Sequence, residues 1–292
     1  MVTILTPTYN RAHTLPRLFQ SLLEQTSHDF EWLVIDDGSD DNTEEVISEL
    51  KVRSPFPVRY IKKQNGGKHT ALNLGFSEAG RKWIFVLDSD DWIRNNCIEI
   101  IRAEVTRDDF TFHSLSFLRV YENGQVIGDC YPEGLNNFLD RANFKVRGDK
   151  AEVFNKDCLE GFSFPSYKGE NFMAEAPLYI WYAQRFNTKF INYDGYICEY
   201  QDDGLSTNSI INRYKSLNST LYVTEMKYKA HAPLALKARA AINWWRFKMS
   251  RITLRKEWQP PLIYLPIGLL LFFLDFAIGK KIHLSKVGTF KG

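Results

Sequence analysis

The apolar positions of the first third of the chain switch back and forth between two periods. Residues 2–6 (VTILT) form a β-rich apolar run that stops at Pro7. Leu15, Leu18, Phe19, Leu22 and Leu23 then recur at three- and four-residue steps, the stripe of an amphipathic helix. Residues 30–35 (FEWLVI) predict a second strand, ended by the turn cluster Asp36-Asp37-Gly38-Ser39-Asp40. A short helix follows, with Val46, Ile47 and Leu50 on one face and acidic residues in its first turn. Residues 58–61 (VRYI) predict a third strand, Asn65-Gly66-Gly67 a turn, residues 68–79 a helix, and the apolar run from Trp83 a fourth strand. Strands separated by helices in this way predict a parallel sheet with right-handed crossovers.

The rhythm changes beyond residue 110. Short β-like pieces at 110–121 and 125–131 predict a mixed extension of the sheet, and residues 177–186 (PLYIWYAQRF) a helix laid against it. Residues 210–249 read as mostly helical and end in the basic, aromatic run NWWRFKM. The fold class expected is therefore α/β, a mostly parallel sheet with helices on both faces, a mixed extension and a helical C-terminal region. Four segments follow from these shifts: 1–110, 111–209, 210–256 and 257–292.

Residues 262–279 (LIYLPIGLLLFFLDFAIG) carry Asp275 as their only charge. A spanning helix needs about 20 apolar residues, and Pro266 starts or kinks any helix here. Basic residues stand on both sides: Arg251, Arg255 and Lys256 before, Lys280, Lys281 and Lys286 after. Charge on both flanks is awkward for a simple span and predicts attachment to one membrane face, with a buried helix as the plainer alternative. Trp244, Trp245 and Phe247 among Arg239, Arg246, Lys248 and Arg251 invite the same interfacial reading. A packed helix with a solvated basic edge accounts for them equally well.

Composition narrows the class. With 292 residues, 44% of them hydrophobic and 25% charged, the chain has the make-up of a globular protein with a sizeable core. A net charge of +2 argues against a nucleic-acid binder working through a broad basic surface. Cys97, Cys130, Cys158 and Cys198 show no CxxC spacing, and no basic leader precedes the first strand. Reduced cysteines, no zinc site and a cytoplasmic location are the expectation.

The richest ten residues run from Trp83 to Trp92, an apolar strand closed by Asp88-Ser89-Asp90-Asp91. Carboxylates this close repel one another unless a cation or strong donors lie between them. The crevice beyond the carboxyl ends of such strands is where open α/β sheets bind ligands, and a hard divalent ion holding a diphosphate suits it. A capped acidic turn is the plainer account. Residues 7–11, 36–40 and 88–91 follow the first, second and fourth strands, so they converge at one sheet edge. Each of the first two, taken alone, is explained by a turn and a cap. Asn65-Gly66-Gly67-Lys68 lacks the Walker A spacing. His69 reads as a helix-start residue and His113 as structural.

These motifs together resemble the family 2 glycosyltransferases, built on the GT-A nucleotide-sugar fold. Thr6-Pro7-Thr8-Tyr9-Asn10-Arg11, Val34-Ile35-Asp36-Asp37-Gly38-Ser39, Asn65-Gly66-Gly67-Lys68 with Ala71-Leu72-Asn73-Leu74-Gly75, and Asp88-Ser89-Asp90-Asp91 carry the resemblance in order and spacing. It implies a nucleotide-sugar donor held by Pro7, Thr8, Tyr9, Asn10, Arg11, Asp37, Lys68, Asp88 and Ser89. It implies Mn²⁺ or Mg²⁺ at Asp90 and Asp88, with Asp88 facing ribose or metal, and transfer with inversion to a hydroxyl acceptor. The general base is implied near residue 175, where members place an acidic pair at a helix start. Here Glu175 keeps the Glu, Ala176 replaces the Asp, and Glu170 is the other candidate. Residues 200–206 (YQDDGLS) resemble a loop that returns to the active site, with Asp202 or Asp203 where members often carry His. With the C-terminal segment, the expectation is a glycan or lipid-linked acceptor at the cytoplasmic face of a membrane. The rivals are a catalytically silent sugar-nucleotide binding protein and a sugar-phosphate nucleotidyltransferase, though the loop at residues 7–11 lacks the glycines of the latter.

Overall fold

A computed structural model describes residues 1–109, 111–199, 209–250 and 258–277. They group into two compact units, one of residues 1–164 and 181–201, the other of residues 165–180 and 202–292.

The first unit is built on a sheet. Its elements in chain order are β1 (Val2–Thr8), α1 (Leu15–Leu23), β2 (Phe30–Asp36), α2 (Thr43–Val52), β3 (Val58–Lys62), α3 (Lys68–Glu78), β4 (Trp83–Val86), β5 (Trp92–Ile93), α4 (Cys97–Val105), β6 (Ser114–Tyr121), α5 (Asp140–Asn143), β7 (Lys150–Asn155) and β8 (Thr188–Cys198). The strand order is β3-β2-β1-β4-β7-β6-β8-β5. β3, β2, β1 and β4 are parallel neighbours, and β7 runs antiparallel to both β4 and β6. β1, β2 and β4 are buried along their whole length, which is why they read as continuous apolar runs rather than alternating ones. Leu15, Leu18, Phe19 and Leu22 of α1 pack into the same core as Trp32, Phe85 and Phe117. Gly75 of α3 lies so close to β1 that an added Cβ would stand 2.3 Å from Leu5 Cδ1. The glycine thus sets how near that helix approaches the sheet.

The register aligns the strand ends. Thr8 pairs with Asp36, Asp36 with Lys62, and Leu5 with Val86, so the loops after β1, β2, β3 and β4 emerge at one edge.

Two differences from the sequence reading have clear causes. Residues 125–131 form no strand beyond a single bridge, Val126 to Val120. Gly128 at φ +80° interrupts the run there. The extension is made instead by β7 and β8, whose polar residues hid them. In β7, Lys150 and Glu152 are buried; Lys150 Nζ donates to the carbonyls of Ile127 and Asp129, and Glu152 pairs with Arg141 at 3.6 Å. β8 runs beside β6 with a register shift that brings Arg119 opposite Tyr196.

The second unit is helical: α7 (Ser209–Lys215), α8 (Leu217–Lys229), α9 (Leu234–Lys248) and α10 (Leu265–Ala277), with α6 (Ala176–Ala183) beginning in it. Tyr214, Leu217, Leu221, Trp244, Trp245 and Phe247 form its core. This corrects the interfacial reading of the aromatic run: Trp244 and Phe247 are 2% exposed and face protein. α10 starts at Leu265, with Pro266 in its first turn, and is held to α9 by Arg246, whose guanidinium grips Asp275 at 2.5 and 2.7 Å. Its other side is bare, with Ile267, Leu270, Phe273 and Leu274 exposed. Among the described residues no helix is long and apolar enough to cross a membrane.

Candidate active site

Loops 7–11 and 36–40 are sewn together at the sheet edge. Asp37 N donates to Thr8 O at 2.8 Å, Asn10 N to Ser39 Oγ at 2.9 Å, and Asp40 N to Asn10 Oδ1 at 3.0 Å. Asn10 adopts φ 52°, a conformation Asn tolerates better than most residues. Asp36 is spent on this framework: it accepts from Ser39 N, Ser39 Oγ and the Tyr60 hydroxyl at 2.8, 2.7 and 2.5 Å. Tyr9 stands 45% exposed above the joined loops, an aromatic face open to solvent. Beneath it, the buried Thr8 hydroxyl makes no hydrogen bond among the described residues.

Asp37 ties the third loop to the second. Its Oδ1 accepts from Lys63 Nζ at 2.5 Å and Gly66 N at 3.0 Å, and its Oδ2 from Gly67 N at 2.6 Å. A carboxylate offers about four lone-pair positions, so Asp37 keeps room for one more donor on Oδ2. That is the capacity a nucleobase N–H needs.

The acidic strand end is neutralised from two sides. Lys68, the first residue of α3, lies 2.6 Å from Asp88 Oδ1, and Arg119 Nη1 lies 3.1 Å from Oδ2. Burial pushes the Asp88 carboxyl up, but these two cations outweigh it and hold the group well below the usual carboxylate range. Arg119 also stands 3.5 Å from Asp91, rests over the Tyr196 ring at 4.3 Å, and donates to Lys150 O. Tyr196 completes the clasp, its hydroxyl accepting from Asp88 N at 2.9 Å. Asp91 faces inward, bonded by Glu199 N at 3.3 Å and the Cys198 thiol at 3.5 Å. Burial, with the fields of Asp88 and Asp90, pushes it up to about 7. Asp91 is therefore a framework group, consistent with its place at the start of the next turn. The Thr14 hydroxyl donates to Ser89 O at 2.7 Å, and Arg17 Nη2 donates to Asp90 O at 2.9 Å.

Asp90 differs from its neighbours. No side chain of the described residues bonds to its carboxylate. Burial and the Asp88 charge raise it, and Arg11 and Lys68 offset this only in part. Among the described residues no three His, Cys, Asp or Glu side chains surround a common point. Mg²⁺-like ions commonly take one or two carboxylates and draw their other ligands from substrate phosphates and water. Hard carboxylate oxygens of this kind would fit such an ion; among the described residues Asp88 is engaged by Lys68 and Arg119, and Asp90 has no side-chain partner.

The two candidate bases lie in the helical unit and differ sharply. Glu170 is buried, and its carboxylate accepts four hydrogen bonds of 2.8 Å from Asn218 N, Asn218 Nδ2, Ser219 N and Ser219 Oγ. It caps the otherwise unsatisfied N–H groups at the start of α8. Glu175 immediately precedes α6, is partly exposed, and accepts from the Tyr179 hydroxyl at 2.8 Å. Asp202 and Asp203 lie outside the described residues.

Arg119, Tyr196 and Arg17 were absent from the sequence reading. The signal for Arg119 was present, since it is the one charge in the run SLSFLRVY. A cation in an otherwise apolar strand needs a buried partner.

A family model described as glycosyl transferase family 2 matches residues 3–160, more than half of the chain. The chain belongs to glycosyl transferase family 2. The match takes in all four loops of the site and Arg119. Relatives within the family include an uncharacterised glycosyltransferase of Rickettsia felis, 37% identical over 43% of this chain and 21% of its own length. A chondroitin synthase of Pasteurella multocida is 40% identical over 37% of this chain and 11% of its own. The chain thus spans about a fifth or less of the length of these curated relatives. Among solved structures, S. aureus TarS 1-349 in complex with UDP-GlcNAc superposes with a TM-score of 0.64 at 17% identity, over 96% of this chain and 82% of that one. The mannosyltransferase PcManGT of Pyrobaculum calidifontis, in complex with GDP-Man and Mn²⁺, gives 0.55 at 17% identity, over 95% and 75%. The fold of this family 2 chain is accordingly GT-A-like, a mixed α/β sheet with a helical C-terminal region.

Proposed function

We propose that this chain transfers a sugar from a nucleoside-diphosphate sugar to a hydroxyl of a glycan or lipid-linked acceptor, with inversion at the anomeric carbon. The observation that carries the reading is Asp90, a desolvated carboxylate with no side-chain partner among the described residues, at a sheet edge where its neighbours are all engaged. Two structures of like fold hold UDP-GlcNAc, and GDP-Man with Mn²⁺, which supports a nucleotide-sugar donor and a divalent ion. Relatives named chondroitin synthase and hyaluronan synthase support a polysaccharide product.

In this reading Tyr9 covers the base, Asp37 accepts its N–H through the remaining Oδ2 lone pair, and the Thr8 hydroxyl gains a partner from the donor. Arg11 and Lys68 face the diphosphate. Asp90 is the ligand for Mn²⁺ or Mg²⁺, which when bound spreads the charge of the departing diphosphate. Lys68 and Arg119 keep Asp88 ionised and fixed, so the strand end needs no rearrangement when the donor arrives.

Glu175 is the group that takes the acceptor proton. It has solvent access, whereas Glu170 has committed both oxygens to α8. Glu175→Gln should slow transfer by about 10²-fold or more with donor affinity unchanged. Glu170→Gln should instead lower Tm, having lost charge-assisted bonds each worth about 1.5–3 kcal/mol. Steady-state kinetics and thermal melts of the two variants separate the roles, and the reverse pattern would reassign the base. One feature favours a silent binding protein: Ala176 stands where the family resemblance implies an Asp. Release of nucleoside diphosphate from a nucleotide-sugar distinguishes the two.

The apolar face of α10 supports attachment to the cytoplasmic face of a membrane. Ile267, Leu270 and Leu274 follow one another at helical steps and are all exposed. Deleting residues 257–292 should move the protein from the membrane fraction, where the full-length chain is expected, to the supernatant. Truncated protein still recovered with membranes would rule that attachment out.

A further inference from the structure

α1 carries a polar stripe beside its apolar one. Thr14, Arg17, Ser21 and Gln25 recur at steps of three and four residues, so they share one face of the helix and of its two ends. All four bond the backbone of the segment that follows β4, in the same order along the chain. The Thr14 hydroxyl donates to Ser89 O at 2.7 Å, Arg17 Nη2 to Asp90 O at 2.9 Å, and Gln25 Nε2 to Arg94 O at 2.8 Å. Ser21 Oγ accepts from Ile93 N at 3.3 Å, and Gln25 Oε1 from Ile98 N at 3.1 Å. These bonds hold the segment by its peptides, not by its side chains.

Arg17 gathers more groups than the other three. Its Nη1 pairs with Glu199 at 2.6 Å, and its guanidinium lies 4.0 Å from the centre of the Trp92 ring. Glu199 N in turn donates to Asp91 Oδ1 at 3.3 Å. One planar fork therefore joins the peptide of Asp90 to Trp92 at the start of β5 and to Glu199, the residue after β8.

A fastening that only stabilises the fold is the simpler account. An ion pair as exposed as Arg17–Glu199, 38% and 48% at the two side chains, adds little stability. Stability alone also does not call for the forked member of the stripe to fall on the carbonyl of Asp90, the carboxylate that no side chain of the described residues engages. Asp88 and Asp90 repel each other when no ion lies between them, and a loop free to move would answer by turning Asp90 away. A peptide held from behind leaves only the side-chain torsions of Asp90 to be ordered when an ion binds. Less ordering means tighter binding.

We propose that Arg17 is a positioning residue for the divalent ion, fixing the Asp90 peptide, and with it the reach of the carboxylate, before the ion arrives. The proposal rests on the reading of Asp90 as the metal ligand.

The test follows Mn²⁺ binding to the full chain by electron paramagnetic resonance, with thermal melts in EDTA and sugar transfer across a range of Mn²⁺ concentrations. Arg17→Met keeps an apolar stem over Trp92 and removes the fork. It should weaken Mn²⁺ binding about 10–100-fold, the effect of losing a group that orients a metal ligand. The Mn²⁺ needed for half-maximal turnover should rise by the same factor. Arg17→Lys, whose ammonium reaches one acceptor but not both, should fall between wild type and Arg17→Met. Arg94→Met is the control, because the Arg94 side chain also grips one carbonyl and one carboxylate, both of Asp194, at a similar exposure. It should lower Tm as much as Arg17→Met does and bind Mn²⁺ as wild type does. The resonance measurement needs no donor, so it judges Arg17 separately from sugar transfer. Equal Mn²⁺ affinity in wild type and Arg17→Met, or an equal loss in Arg17→Met and Arg94→Met, overturns the positioning role and leaves Asp90 in place. A wild-type chain that binds no Mn²⁺ removes Asp90 as the ligand and the proposal with it. Should Arg17→Met fail to fold, Arg17→Lys binding Mn²⁺ as tightly as wild type overturns the proposal.

Discussion

Replacing Asp90 with Asn should reduce metal-stimulated sugar transfer by about 10³-fold or more, because charge neutralisation by a bound divalent ion is worth several kcal/mol at the transition state. The substitution preserves shape and removes the charge. It also relieves the repulsion from Asp88, so the folded state should be no less stable than wild type. Two measurements check this together: turnover at saturating Mn²⁺, and Mn²⁺ binding followed by electron paramagnetic resonance. An Asp90→Asn variant that binds Mn²⁺ and turns over as the wild type does would remove Asp90 from the site. The sharper contrast is with Asp91, three bonds of which face the interior; its loss should act on folding.

Arg119→Met should be the most damaging single change to the first unit. Arg119 is 13% exposed at its side chain and serves Asp88 and Asp91 together. Removing one partner from a buried charge cluster costs about 3–5 kcal/mol, equivalent for a unit of this size to a Tm lower by about 10 °C. Arg119→Lys should recover only part of it, since an ammonium cannot fork between two carboxylates while lying flat on the Tyr196 ring. Thermal melts of the two variants settle the matter. A Tm for Arg119→Met within 2 °C of wild type, roughly under 1 kcal/mol, would mean that Asp88 and Asp91 do not depend on it.

Much of this architecture is legible in the sequence, for identifiable reasons. β1, β2 and β4 are buried on both sides and therefore appear as unbroken apolar runs. α1 shows its helical stripe because one face alone is buried. The four loops converge because parallel strands send their C-terminal ends to one edge, which needs no knowledge of side-chain contacts. β7 and β8 escaped because their polar residues are satisfied by partners distant in sequence, such as Lys150 by the carbonyls at 127 and 129. Arg119 escaped similarly: its partners Asp88 and Asp91 are about thirty residues away, and the register shift in β8 that seats it on Tyr196 leaves no local signature. The aromatic run at α9 misled because Trp and Arg together describe an interfacial helix and a packed one alike. Only the burial of Trp244 and Phe247 separates the two.

The same distinction applies to the acidic residues of the site. Asp36, Asp37, Asp88, Asp90 and Asp91 are equivalent as letters, yet their hydrogen bonds divide them. Asp36 and Asp91 brace loops, Asp37 braces one loop with a lone pair to spare, Asp88 is locked between two cations, and Asp90 is left for a ligand. Glu170 and Glu175 divide in the same way, one capping α8 and the other retaining solvent access.

The central claim is that these loops hold a nucleotide-sugar for transfer, and the direct measurement is the product released. Incubation with a panel of nucleoside-diphosphate sugars and Mn²⁺ should liberate a nucleoside diphosphate from one of them, with the release suppressed by EDTA and in the Asp90→Asn variant. Tight binding of a donor without any release would leave a binding protein. Pyrophosphate formed from a nucleoside triphosphate and a sugar phosphate would contradict glycosyl transfer outright.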